Sequence, residues 1–315
     1  MAKKKKETAK QKTWIPSKKH LVSILIVLTL IITLCSVVFF LFLQPSEVAF
    51  SLNAAIIDQL GESDPSLSNS TFVESVTNLL ESRNFTVTYY NKTLDVNFFK
   101  GLAKYNYGII VLRVHSALRE DNSTVDLFTS EKYDPNYDSN KYRSERDNGL
   151  LTIGEYLYTP GKYYFAVTPN FIKNLEGRFP KSIIIAMGCW SLKQGCEQMA
   201  MAFLDKGAKA YVGWTDIVLP KDTDHETARF IEMFLNRNKT LDSAVSTGSR
   251  AYWYHDPKTN ESVTSQMEFC PLSEKNLKIS DLIAEAKSSK TFTAFNNLGQ
   301  SSFLIANVNF KSKDS

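Results

Sequence analysis

The stretches YGIIVLRVHSA, residues 107–117, and SIIIAMGCWS, residues 182–191, decide the fold. Each contains a short, nearly continuous apolar run, which is typical of a strand that is buried on both faces of a sheet. Amphipathic helical patterns lie between and around such runs, for example at 71–80, 197–206 and 226–236. Strands that alternate with helices predict an α/β domain whose mostly parallel sheet carries helices on both faces.

The same alternation continues outward from these two strands. Further strands are predicted at 53–58, 85–90 and 210–214. Residues 120–181 interrupt the pattern and are rich in Asp, Asn, Ser and Tyr, so we expect an insertion at the rim of the sheet, with short strands at 150–158 and 163–167. We place the α/β domain at 44–270 and a C-terminal extension at 271–315, which has a helical pattern at 279–287 and a strand-like run at 302–310.

An uncharged apolar run precedes the domain: residues 21–43 read LVSILIVLTLIITLCSVVFFLFL. As a helix it would cover roughly 34 Å, more than a hydrocarbon core of about 30 Å, so the run predicts one transmembrane helix that contacts the lipid bilayer. A cleaved signal peptide is the alternative. Its apolar region is usually shorter, about 7–15 residues, and ends at small residues, whereas this run ends in Phe-Leu-Phe-Leu-Gln-Pro.

The charges that flank the run predict its orientation. Eight lysines lie within residues 1–20, whereas residues 44–47 carry a single glutamate. Because positive residues stay on the cytoplasmic side, we expect 1–20 to be a cytoplasmic basic arm and the domain to be extracytoplasmic. The arm holds eight of the 37 Lys and Arg residues, against 33 Asp and Glu, so the rest of the chain has no basic excess. Composition therefore gives no basis for a nucleic-acid partner.

Six Asn-x-Ser/Thr sequences agree with an extracytoplasmic domain, because all of them lie on the predicted outer side, where glycosylation occurs. The acceptor residues are Asn69, Asn84, Asn91, Asn122, Asn238 and Asn260.

Two chemically reactive residue types follow directly after predicted strands, His115 and Cys189. In an open parallel sheet, ligands bind beyond the carboxyl ends of the strands, and neighbouring strands lie about 4.8 Å apart. If these two strands are neighbours, a cysteine nucleophile and an imidazole proton partner can flank one substrate carbonyl. The alternative is that Cys189 is simply a small buried residue and His115 a satisfied polar contact.

The two stretches resemble a known family. IIVLRVHSA and SIIIAMGCWS, whose cysteine lies 74 residues beyond the histidine of the first stretch, resemble the caspase–haemoglobinase fold of cysteine peptidases. That group includes caspases, legumains, clostripain, gingipains and separases. CWSLKQGCEQMAMAFLDKGAKAYVGWTDIV and ARFIEMFLNRNKTLDSAV resemble the following elements of gingipain-like members, and the likeness covers roughly residues 50–255. It implies that Cys189 is the nucleophile and His115 the proton donor and acceptor in acyl transfer on a peptide or protein, without a metal or other cofactor.

The resemblance also assigns an oxyanion hole. In the family, the residue after the histidine is usually Gly, and its backbone N–H helps to hold the oxyanion; here that residue is Ser116, and the second donor would be the N–H of Cys189. A serine still supplies an N–H, but without the backbone freedom of glycine. A second interpretation is therefore open, in which the same fold is catalytically inactive and acts as a surface binding or assembly module.

Four residues are candidates for a substrate pocket. Met187, two residues before the cysteine, occupies a position that often lines the pocket in the family. Asp216 would give the pocket a negative charge that favours Lys or Arg, or else is a solvated loop residue. Trp190 and Trp214 are candidate pocket walls or ordinary packing aromatics.

Three cysteines lie outside the predicted membrane helix, which itself contains Cys35. One disulfide plus one free thiol is the simplest arrangement in an oxidising compartment. A Cys196–Cys270 bond leaves Cys189 free as a nucleophile, a Cys189–Cys196 bond would abolish it, and all three could also be reduced. The run DTDH at 222–225 resembles a metal cluster by composition, but acidic residues at the start of a helix explain it, so no metal site is predicted.

Overall fold

The computed structural model describes residues 26–36, 48–156, 161–248, 251–255 and 262–288. The chain divides into two units, residues 1–46 and 47–315. In the first unit, residues 26–36 are helical and their side chains are exposed. Among the residues that the structure describes, no helix has the length and apolar character needed to cross a membrane. The predicted span, 21–43, lies partly outside those residues, so it stays a prediction.

The described part of the second unit contains strands and helices in the following order. The strands are β1 (Asn53–Asp58), β2 (Thr86–Tyr90), β3 (Ile109–Arg113), β4 (Ser116–Leu118), β5 (Val125–Tyr133), β6 (Leu151–Glu155), β7 (Tyr163–Val167), β8 (Ile183–Ala186), β9 (Ala210–Trp214), β10 (Tyr252–His255), β11 (Ser262–Ser265) and β12 (Met267–Cys270). The helices are α1 (Gln59–Ser63), α2 (Ser70–Glu81), α3 (Val96–Lys100), α4 (Arg143–Asp147), α5 (Pro169–Lys173), α6 (Gln198–Asp205), α7 (Pro220–Ile231) with a π-helical continuation at Glu232–Asn236, α8 (Leu241–Gly248) and α9 at 279–288.

Six strands form the main sheet, in the order β12-β9-β8-β3-β1-β2. All neighbours pair in parallel except β12, which runs antiparallel to β9 at one edge. The predicted α/β class with a mostly parallel sheet is therefore confirmed. Strands β3 and β8 are direct neighbours, with Leu112 opposite Ala186.

Helices cover both faces of this sheet, as predicted. Along β3, Ile110 and Leu112 face a core that α3, α5 and α6 complete, whereas Ile109 and Val111 face a core built with α2, α7, α8 and α9. This alternation follows from the two-residue period of a strand, and it explains why apolar side chains occur at successive positions. Leu282 of α9 is buried in the second core, so the first part of the region assigned to a C-terminal extension packs into the domain.

The insertion folds as a second sheet. Together with β4, which precedes residue 120, its strands form an antiparallel sheet in the order β4-β5-β7-β6. Strands β6 and β7 correspond to the strands predicted at 150–158 and 163–167. Strands β4, β5, β10, β11 and β12 were not predicted. The strand-like run predicted at 302–310 lies outside the described residues.

Candidate active site

The carboxyl ends of β3 and β8 meet at one edge of the main sheet. The Ser116 hydroxyl donates a hydrogen bond to the Cys189 carbonyl oxygen at 2.5 Å. Gly188 lies at this contact, where a Cβ atom would approach Ser116 Oγ to 2.2 Å and the carbonyl oxygen of Val114 to 2.6 Å. The two strand ends are thus in close contact, and a side chain at position 188 would force them apart.

Cys189 lies at this junction with a partly buried side chain. Its Sγ atom is 3.5 Å from both the backbone N and the carbonyl O of Val218, in the segment that follows β9. Burial raises the pKa of the Cys189 thiol, and the contact with the Val218 backbone opposes that rise in part. At neutral pH the group is therefore a thiol and not a thiolate.

The imidazole of His115 lies among aromatic rings. Its centroid is 4.3 Å from the Tyr156 ring and 6.3 Å from the Phe128 ring. Burial, and after it the positive charge of Arg113, lowers the pKa of His115 to about 4, while Asp64 opposes the shift. The imidazole is consequently neutral at pH 7.

The backbone of His115 is held on both sides. Its N–H donates to Gln59 Oε1 at 2.9 Å, and its carbonyl accepts from the Phe128 N–H at 2.9 Å. Gln59 is fully buried and donates from Nε2 to the Tyr156 hydroxyl at 2.5 Å and to the Thr129 carbonyl at 3.3 Å. Sequence reasoning missed Gln59, although a polar residue directly after the apolar strand NAAIID was a signal of the same kind as His115.

Two residues before His115, Arg113 is buried in an ion-pair network. Its Nη1 donates to Asp58 Oδ1 at 2.7 Å, its Nε and Nη2 donate to the two carboxylate oxygens of Asp224 at 2.8 and 2.9 Å, and Nη2 also reaches the Leu67 carbonyl at 2.7 Å. Asp224 belongs to the DTDH run, so the interpretation of this residue as a helix-start charge was incomplete: its carboxylate is buried and paired with Arg113.

Of the predicted glycosylation acceptors, Asn69 belongs to this same network. Its Nδ2 donates to Asp224 Oδ2 at 2.9 Å, and its Oδ1 accepts from the Phe72 N–H at the start of α2. Three other acceptors are exposed, namely Asn84, Asn91 and Asn122. Asn238 is partly exposed, and Asn260 lies outside the described residues.

The four predicted pocket residues lie in two different environments. Met187 and Trp214 are buried, at 1% and 0% exposure, in the core between the main sheet and helices α2, α7, α8 and α9. Trp190 and Asp216 are partly exposed, and the Trp190 N–H donates to the Asp216 carbonyl at 3.0 Å. The Asp216 carboxylate lies 3.4 Å from Lys193 Nζ, which compensates the negative charge that was expected to select a basic substrate. Of the four, only Trp190 and Asp216 therefore have appreciable surface that is accessible to solvent.

All four cysteines are free thiols in the structure. The predicted Cys196–Cys270 disulfide is thus not formed in it. Cys196 is buried, and its sulfur lies 3.2 Å from the Asn122 carbonyl. Cys270 ends the edge strand β12 and is partly buried.

In the described part of the chain, no three or more His, Cys, Asp or Glu side chains are grouped as metal ligands. Comparison with models of known protein families gives no match, and a search of curated proteins gives none either.

Proposed function

We propose that the chain is a membrane-anchored, extracytoplasmic cysteine peptidase or transpeptidase in which Cys189 and His115 carry out acyl transfer. One observation carries the proposal: β3 and β8 are hydrogen-bonded neighbours, so the two residues follow the carboxyl ends of adjacent parallel strands, where ligands of open α/β sheets bind. The resemblance to the caspase–haemoglobinase fold supports the same two roles. The apolar run 21–43 with its preceding lysines supports the anchor and its orientation.

The reaction begins when the Cys189 sulfur attacks the carbonyl carbon of a peptide bond. The thiol proton passes to His115, and His115 delivers it to the amide nitrogen as the carbon–nitrogen bond breaks and the amine leaves. The backbone N–H groups of Ser116 and Cys189 hold the oxyanion. Water, or a second amine, then attacks the thioester, gives its proton to His115, and releases the sulfur, which takes the proton back.

The charge state of the site constrains this scheme. The raised pKa of Cys189 and the lowered pKa of His115 keep both groups neutral at pH 7 in the free protein. Attack and proton transfer must then occur together on a bound substrate, because no thiolate–imidazolium pair exists beforehand. We therefore expect the free thiol to react slowly with small alkylating reagents.

A second candidate function is a binding or assembly module with no turnover. Two observations favour it. The first is the neutral state of both groups. The second is Ser116, which stands where the family usually has glycine. Its hydroxyl donates a hydrogen bond to the Cys189 carbonyl.

A cleavage assay separates the two functions. The full-length chain in detergent is incubated with a mixture of peptides of varied sequence, and the products are identified by mass spectrometry. A peptidase or transpeptidase yields new peptides that disappear in Cys189→Ala and fall strongly in His115→Ala. Cys196→Ala, which removes a buried thiol with no part in the proposed reaction, retains them. If the wild-type chain also leaves every peptide intact, the enzymatic proposal is rejected and the binding or assembly module is the remaining function.

A further inference from the structure

A residue from the second sheet contacts the imidazole of His115. Tyr156 directly follows β6, and its ring lies 4.3 Å from the imidazole, centroid to centroid. On the same sheet, Tyr164 stacks on Tyr156 at 4.4 Å with an angle of 17° between the ring planes, and Phe128 lies 5.2 Å from it. The imidazole thus packs, tilted by 46°, against an aromatic cluster that belongs to the insertion.

A hydrogen-bonded link joins the same two residues by a second route. The Tyr156 hydroxyl accepts from Gln59 Nε2 at 2.5 Å, and Gln59 Oε1 accepts from the His115 N–H at 2.9 Å. Gln59, which links the two bonds, is fully buried, whereas the bonds themselves are partly buried. Tyr156 therefore contacts the imidazole through its ring and is linked to the His115 backbone through its hydroxyl.

We propose that Tyr156 is a positioning residue of the site: its ring excludes water from the imidazole of His115, and its hydroxyl, through Gln59, fixes the backbone from which that imidazole projects. The proposal rests on the proposed role of His115 in acyl transfer. It assigns the insertion a function, which is to complete the environment of a residue on the main sheet.

Two charged groups and burial determine the pKa of His115, and Tyr156 affects it only through burial. Arg113, on β3, disfavours a positive imidazole, and Asp64, after α1, favours one. Burial is the largest cause of the lowered pKa of His115. Tyr156 is itself uncharged at neutral pH, since burial raises its pKa to about 12. Its ring therefore acts on His115 through exclusion of water and not through charge.

The test is an NMR titration of the histidine ring protons in the full-length chain in detergent. The chain has four histidines, and His115→Ala identifies the signal of interest. We expect Tyr156→Ala to raise the pKa of His115 by about one unit or more, towards its ordinary value of 6.5, because water reaches the imidazole. Tyr137→Ala, at a tyrosine that is 86% exposed, is the matched control and should leave the titration unchanged. An unchanged pKa in Tyr156→Ala would overturn the proposal.

Tyr156→Phe tests the second route without loss of the ring. Here the pKa of His115 should remain near its wild-type value, while the backbone amide of His115 exchanges with solvent deuterium about five- to tenfold faster, since its acceptor Gln59 has lost a partner. Equal exchange rates in Tyr156→Phe and wild type would contradict the hydroxyl's role, even if Tyr156→Ala does not fold. Both readouts are independent of turnover, so a shifted pKa without peptide cleavage would reject the enzymatic function and retain the positioning role.

Discussion

Arg113 and His115 lie two residues apart at the end of β3, and burial has opposite consequences for them. Arg113 is 1% exposed and keeps its charge because two carboxylates and a carbonyl surround the guanidinium. His115 is surrounded mainly by aromatic rings and loses its charge, with a pKa of about 4. A buried charge at this edge is stable only where its counter-charges are fixed, so Arg113 stays charged in its ion-pair network and His115 stays neutral.

The largest effect should follow from breaking the ion-pair network. Arg113→Met leaves the carboxylates of Asp58 and Asp224 buried without their partner, and we expect the free energy of unfolding to fall by about 3–5 kcal/mol. Urea denaturation followed by circular dichroism measures the change. Arg143→Met is the matched control: Arg143 is exposed and 3.7 Å from Asp147, so its loss should cost less than about 1 kcal/mol. Similar losses in both variants would mean that the network at Arg113 is no more important than a surface pair.

A smaller effect should come from the pH dependence of stability at His115. Its pKa is about 4 in the folded state and near 6.5 in the unfolded chain, so the unfolded state binds more protons between these values. The stabilising contribution is complete above about pH 6.5 and is lost as the pH falls towards 4, which amounts to about 2 kcal/mol between pH 7 and pH 5. His115→Phe retains an aromatic ring and cannot titrate. The urea concentration at the unfolding midpoint should therefore decrease more between pH 7 and pH 5 in wild type than in this variant. An equal decrease in both proteins would contradict the assigned pKa.

The smallest effect concerns the contact between the two strand ends. Ser116→Ala removes the hydrogen bond to the Cys189 carbonyl, and we expect a loss of about 1 kcal/mol in the free energy of unfolding. Ser246→Ala, at an exposed serine that donates to the Asp242 carbonyl, should change stability by less than about 0.5 kcal/mol. If Ser116→Ala is as stable as wild type, the bond does not hold β3 and β8 together.

The sequence predicted the central strands of the main sheet because they are almost entirely apolar, whereas the edge strand β12 was missed. Runs such as IIVL in β3 and III in β8 are buried on both faces, and burial of that kind leaves a continuous apolar signal. The positions of His115 and Cys189 at the ends of neighbouring strands followed from the same signal, together with the expectation that the two strands pair.

The second sheet was less visible because polar residues are buried in it. In β5, Asp126 is buried against Arg119 at 2.6 Å, and the Thr129 hydroxyl donates to the Phe165 carbonyl at 2.7 Å. A strand with buried polar partners lacks the alternation by which half-buried strands are recognised. The contact of Tyr156 with His115 was hidden for a related reason, since it depends on how the two sheets pack and not on any local pattern.

A charge placed on the Cys189 sulfur tests most directly whether Cys189 and His115 face one crevice. Because Cys189 is expected to react slowly and the other three cysteines are also free thiols, the chain carries Cys35→Ala, Cys196→Ala and Cys270→Ala and is treated for a prolonged time at raised pH. Iodoacetate then converts Cys189 into a carboxymethyl thioether with a negative charge, and iodoacetamide gives a neutral adduct of nearly the same size. A carboxylate within about 4–6 Å of an imidazole favours the protonated form, so we predict that the pKa of His115, measured by NMR, is at least about one unit higher in the carboxymethyl adduct than in the neutral one. The same pKa in both adducts would show that the two side chains do not meet, and would contradict the account.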